Sequence, residues 1–132
     1  MKRVKYQALI LKEVTAVLSK IKESQTAQFV AEIVKAKRIY ITGQGRSGLV
    51  VKAFGQRLMH LGYMVHLADE ITAPAISRND ILVACSGSGK TRLTFYMARK
   101  AKGIGAKVIT LTADPRSPLA RLAHLLITIP VA

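Results

Sequence analysis

The sequence predicts an α/β protein: a three-layer αβα sandwich around a five-stranded parallel sheet. Three observations predict it. Short β-branched apolar runs alternate with helical stretches from residue 38 onward. Gly62 and Gly105 stand just before strands, where helix-ending glycines belong. Two loops rich in glycine and serine each follow a strand and open a helix.

Taken in order, the first 36 residues read as helices. Leu9, Val14, Val17, Leu18 and Ile21 recur at helical spacing, and Phe29, Val30, Ile33 and Val34 do so in a second helix. Ser24 or Thr26 is the expected cap of that second helix. Residues 1–36 are expected to pack on the domain or on a neighbouring subunit, and residues 37–132 to form the domain itself. Within it, strands are expected at 38–42, 63–68, 80–86, 106–112 and 124–130, and helices at 47–61, 90–102 and 117–123. The expected strand order is 2-1-3-4-5, the flavodoxin-like arrangement, whose switch point lies between the first and third strands.

The 132 residues fit one domain, and half of them are apolar, enough for a real core. No apolar run reaches the ~18 residues of a membrane span, and the basic start lacks a small-residue cleavage pattern. Cys85 is the only cysteine, so no internal disulfide forms and the cytoplasm is the expected location. The net charge of +14 raises nucleic acid as a partner. Nine of the 21 Lys/Arg lie in residues 1–38 and the rest are scattered, without a tight basic block. A solvated basic surface is the favoured reading, and neither nucleic acid nor a membrane is an expected partner.

The chemistry concentrates in Gly43-Gln44-Gly45-Arg46-Ser47-Gly48 and Ser86-Gly87-Ser88-Gly89-Lys90-Thr91. A helix start offers unpaired N–H groups and a partial positive charge. Glycines let an anion approach the backbone, and hydroxyls add donors. In the expected strand order the two loops face one crevice. Two ordinary turns with capping serines are the alternative.

Two nucleotide readings are testable on the residues. Gly89-Lys90-Thr91 ends like a P-loop, but Ala84 stands where that motif needs its first glycine. Gly43, Gly45 and Gly48 satisfy G-x-G-x-x-G, with Asp69 or Glu70 at the end of the next strand. That fingerprint alone is weak, and it gives the hydroxyl-rich second loop no role.

Together these stretches resemble the sugar isomerase (SIS) domain family, and within it the 6-phospho-3-hexuloisomerase group. The resemblance rests on GQGRSG (43–48), RLMHLG (57–62), DEITAPAI (69–76), SGSGKT (86–91) and IGAKVITLTADPRSPLARLA (104–123). It implies an isomerase that interconverts 3-hexulose 6-phosphate and fructose 6-phosphate through an enediol, with no metal or redox cofactor. It also implies a homo-oligomer, dimer or tetramer. Gly45, Ser47, Ser86, Gly87, Ser88 and Thr91 would hold the sugar phosphate.

Lys90 departs from the family, which usually carries an acid there, and Ile71 and Ala73 replace two hydroxyls of its E-T-T-T-P block. Ala132 follows directly on the fifth strand, so the family's C-terminal helical segment is expected to be missing. A non-catalytic sugar-phosphate sensor is the alternative function.

Glu70 and His60 are the acid/base candidates, Glu70 at the ligand end of the second strand and His60 in RLMHLG. A surface carboxylate and a helix-terminal histidine are the respective alternatives. Arg46 is read as a phosphate partner or as a solvated or inter-subunit cation. His66 and His124 are read as structural, Cys85 as a small core residue, and Met59, Met64 and Met97 as packing.

Overall fold

A computed structural model describes residue 3 and residues 5–131 of the chain. Ala132, the last residue of the expected domain, lies outside the described residues. The elements are α1 (Tyr6–Leu18), α2 (Glu23–Lys35), β1 (Ile39–Thr42), α3 (Gly45–His60), β2 (Val65–Leu67), β3 (Ile81–Cys85), α4 (Arg92–Ile104), β4 (Lys107–Thr112), α5 (Pro118–Arg121) and β5 (Leu125–Thr128). The five strands form one parallel sheet in the order β2-β1-β3-β4-β5, as the sequence predicts.

Strand alternation builds two cores. Ile39, Ile41, Ile81, Val83 and Ile109 point to one face, where Ile33 of α2 and Val51 and Leu58 of α3 cover them. Tyr40, Leu82, Ala84 and Val108 point to the other, against Ala98 and Ala101 of α4 and Leu119 of α5. The period of two sends neighbouring residues to opposite layers, so the central strands are apolar throughout. Burying each large side chain contributes about 1.5–3 kcal/mol. Gly105 ends α4 at φ 98°, and its N–H donates to Ala101 O and Lys102 O, a turn that only glycine adopts without strain.

The β2–β3 connection carries no helix. Residues 68–80 run back across the α4 face instead, where Ala73 and Ile76 pack on the core and the Tyr40 hydroxyl donates to Pro74 O at 2.6 Å. At the start of this layer Arg38 and buried Asp80 pair side by side, Nε to Oδ1 at 3.0 Å and Nη2 to Oδ2 at 2.8 Å.

Several local expectations need correction. Lys22, not Ser24 or Thr26, occupies the N-cap of α2, because the helix starts at Glu23 and takes both hydroxyl residues into its first turns. α4 starts at Arg92 rather than residue 90, because Gly89 is left-handed and Thr91 is extended. β2 keeps only three residues at the sheet edge. Met59 and Met64 are exposed; of the three methionines expected to pack, only Met97 joins a core. His124 is structural in a specific way: its Nδ1 accepts the Val108 N–H at 2.9 Å, just before β5.

α2 reaches the core through Ile33, and Phe29 stacks obliquely on Phe54 of α3 at 5.8 Å between ring centroids. α1 buries no residue, and Leu9, Ile10, Leu11, Val14 and Leu18 are exposed along it. No helix among the described residues is long and apolar enough to cross a membrane.

Candidate functional site

The two loops meet where strand order predicts. β1 and β3 are neighbours, and their C-terminal ends feed α3 and α4. Between the start of α3 and the ends of β3, β4 and β5 opens a cavity of about 480 Å³. Ser47 and Arg46 of the first loop line it, as do Ser86 and Gly87 of the second. Its wall includes Val50, Cys85, Leu111 and Ile129.

The first loop is shaped by close approach. A side chain at Gly48 would place its Cβ 2.7 Å from Gly43 O, so strand end and helix start touch only because both residues are glycine. Gly45 opens α3 at φ 56°, with open space beyond it. Neither α3 nor α4 carries an acidic residue in its first turn, and Arg46 and Lys90 are exposed beside these starts. The local field therefore favours an anion.

The second loop is held from within. Ser86 is 3% exposed. Its hydroxyl shares a hydrogen bond with Thr91 Oγ1 at 2.9 Å and accepts the Gly89 N–H at 3.0 Å. The Ser88 hydroxyl accepts the Lys90 N–H at 3.1 Å at the exposed tip of the loop. Of the six residues expected to bind phosphate, Ser47, Ser86 and Gly87 line the cavity. Gly45, Ser88 and Thr91 stand on the same two loops outside its lining.

The acid/base candidates lie elsewhere. Glu70 is exposed after β2 and lines a separate cavity of about 310 Å³ on the α4 side of the sheet, with Tyr40, Met97 and Lys100. His60 is exposed at the far end of α3, roughly 20 Å along the helix from Ser47. Within one chain the fold brings neither to the cavity between the loops. Burial pushes the Cys85 thiol up to about 11, so it stays protonated at neutral pH and serves as a wall rather than a nucleophile.

Three contributors are not among the expected site residues. Thr112 at the end of β4 and Ala113 just after it line the same cavity, and Ser117 packs beneath Gly89. The signal lies in ADPRSPLA (113–120), whose Ser-Pro pair marks a helix start. Ser117 does cap α5, its hydroxyl accepting the Ala120 N–H at 3.2 Å.

An open parallel sheet with two helix-opening loops at its switch point defines a ligand-binding α/β domain of the doubly wound class. Residues 32–132 match the SIS domain family. The chain belongs to that family.

Among curated relatives it is 42% identical over 125 residues to a 3-hexulose-6-phosphate isomerase of Mycobacterium gastri, covering 95% of this chain and 63% of the relative. The Bacillus subtilis protein of that name is 36% identical over 130 residues, covering 98% of this chain and 70% of the relative. A solved structure from Methanococcus jannaschii, for which a molecular function of 3-hexulose-6-phosphate isomerase was inferred, superimposes with a TM-score of 0.79 at 34% identity, covering 83% of this chain and 62% of that one. This chain thus spans under two thirds of the Mycobacterium relative's length.

Proposed function

We propose that the chain is a phosphosugar isomerase domain that interconverts 3-hexulose 6-phosphate and fructose 6-phosphate. The carrying observation is the meeting of two acid-free helix starts, with Ser47 and the Ser86-to-Thr91 hydroxyls, at the switch point of a family sheet. The names of the relatives support the substrate class. The place of such a reaction is ribulose monophosphate formaldehyde metabolism in the cytoplasm.

In this reading the phosphate rests on Ser47, Ser88 and Thr91 and on the N–H groups at Gly45 and Gly87, while Ser86 holds the loop. A base takes the proton from C2 of the 3-hexulose, the enediol forms across C2 and C3, and a proton returns to C3 as the carbonyl moves to C2. Glu70 is one proposed proton-transfer group; it lies outside the loop cavity of its own chain and would act on the substrate held by a neighbouring copy. His60 is the other, likewise from a neighbouring copy, since its own α3 points it away from the cavity. The exposed apolar residues of α1 supply a surface for that homo-oligomer, because an isolated helix of 13 residues is marginal in water.

A coupled assay with 3-hexulose 6-phosphate tests the activity, beside thermal shifts with fructose 6-phosphate, NAD and ATP. Turnover and a shift with fructose 6-phosphate are expected; a shift only with NAD or ATP would sink the proposal. Ser88→Ala and Thr91→Ala are each expected to weaken fructose 6-phosphate binding about tenfold, the worth of a hydrogen bond to a charged group. Unchanged affinity in calorimetry would remove that hydroxyl from the site. Glu70→Gln is expected to lower kcat at least 100-fold with little change in KM. Retained turnover would assign the base elsewhere.

The position of Glu70 outside the loop cavity favours a second reading, a sugar-phosphate sensor without turnover. Fructose 6-phosphate binding with no measurable isomerisation would select it.

A further inference from the structure

We infer that the β4–α5 loop is a third wall of the site, and that Thr112 and Ser117 are positioning residues that hold the second loop in its anion-binding shape. The inference rests on the phosphosugar reading above and deepens it.

The coupling runs through peptide planes. The carbonyl of Gly87 accepts two hydrogen bonds from the β4–α5 loop, from Thr112 Oγ1 at 3.1 Å and from the Ala113 N–H at 3.0 Å. That carbonyl shares its planar trans peptide unit with the N–H of Ser88. Fixing the carbonyl toward Thr112 therefore turns the Ser88 N–H the opposite way, away from the β4–α5 loop. Two residues later the pattern repeats. The Gly89 carbonyl accepts the Leu119 N–H at 3.1 Å, and the same peptide unit carries the Lys90 N–H, which Ser88 Oγ accepts. The Gly87 and Gly89 carbonyls are thus drawn onto the end of β4, the loop after it and α5, while the Ser88 N–H faces away from them. The Gly89 and Lys90 N–H groups are held within the loop by Ser86 and Ser88, and the outward Ser88 N–H is the donor that anion binding beside a helix start requires.

Both side chains are fully engaged in this task. Thr112 Oγ1 donates to Gly87 O and accepts the Asp114 N–H at 3.3 Å, so its hydroxyl acts through the Gly87–Ser88 peptide. Thr112 is 2% exposed and Ser117 1%. Ser117 Oγ caps α5 and, with its Cβ, fills the space that a side chain at residue 89 would take. The loop after β4 therefore sets both the direction of that donor and the turn that delivers it.

The test compares Thr112→Val, which keeps shape and removes the hydroxyl, with Thr112→Ser, which keeps the hydroxyl. Calorimetric Kd values for inorganic phosphate and fructose 6-phosphate are measured on each, with kcat and KM in the coupled assay. Thr112→Val is expected to weaken both ligands about tenfold, the loss of one oriented donor, and to raise KM equally while kcat holds within about twofold. Thr112→Ser is expected to bind within about twofold of wild type. A folded Thr112→Val that binds both ligands like wild type overturns the inference alone. A wild-type protein that binds neither ligand overturns the phosphosugar reading and takes the inference with it. Should Thr112→Val not fold, Ser117→Ala decides: about threefold weaker phosphate binding is expected, and unchanged binding overturns the inference.

Discussion

Gly89→Ala is expected to cost about 3 kcal/mol of stability, lower Tm by roughly 10 °C and weaken phosphate binding at least tenfold. Two independent penalties add at this position. Gly89 sits at φ 67°, which costs an L-residue about 1–2 kcal/mol. A Cβ there would also overlap Ser117 Oγ and Cβ and lie 3.1 Å from Thr112 Oγ1. Ser117 is buried and caps α5, so it has no easy retreat. Any relief must move the β4–α5 loop, and with it the carbonyl contacts that orient the second loop. Gly87 provides the control on the same loop. A Cβ there meets nothing within 4 Å and its φ is not positive, so Gly87→Ala is expected to stay within about 0.5 kcal/mol of wild type. Thermal unfolding of both variants checks the contrast. Equal melting would show that the turn at Gly89 relaxes freely.

Asp80→Ala is expected to destabilise the fold by about 3 kcal/mol, the typical loss when one partner of a buried ion pair is removed. The carboxylate accepts from Arg38 Nε and Nη2 and also from the Ser77 N–H at 2.7 Å and its hydroxyl at 3.0 Å. Arg38 reaches on to Ala75 O at 3.1 Å, which ties the helix-free β2–β3 connection to the starts of β1 and β3. Removing the carboxylate takes the acceptor from four donors, two on Arg38 and two on Ser77. Burial works against the charge of Asp80, but Arg38 and then Ser77 outweigh it and hold the carboxyl below its ordinary value. A lowered folded pKa contributes stability that is present above the unfolded value, about 3.9, and lost as pH falls through the folded one. Wild type should therefore lose stability below about pH 4, and Asp80→Asn should lose less over that interval. Urea unfolding at pH 7 and pH 3.5 measures both effects. An Asp80→Ala midpoint equal to wild type at pH 7 would mean that Arg38 finds other partners.

Most of the fold was legible in the chain because it is written in local chemistry. The β-branched runs around Ile39, Ile81 and Ile109 can be buried on both faces only in a covered parallel sheet. Gly62 and Gly105 punctuate the crossovers. The missing helix between β2 and β3 was also legible, since residues 69–80 carry Pro74 and no helical apolar spacing. The caps were less so. Ser24 and Thr26 are good caps by residue type, but the helix is set by the packing of Phe29 and Ile33, which draws its start back to Glu23.

The candidate site divides in the same way. By itself the sequence determined the strand order, the two Gly/Ser loops and their shared crevice. The loops follow from near-neighbour residue patterns, and the strand order and shared crevice from the flavodoxin-like arrangement expected of the alternating strands and helices. Only the tertiary structure decided which hydroxyls are free and which are spent. Ser86 looked like a ligand and is buried on Thr91 and Gly89, while Thr112 and Ser117 looked incidental and brace the loop. It also set Glu70 and His60 apart from the loop cavity, Glu70 across the sheet and His60 at the opposite end of α3. The physical reason is that a hydroxyl's partner and a side chain's cavity depend on backbone from other strands. Gly87 and Thr112 are 25 residues apart in the chain, and their hydrogen bond exists only once β3 and β4 pair.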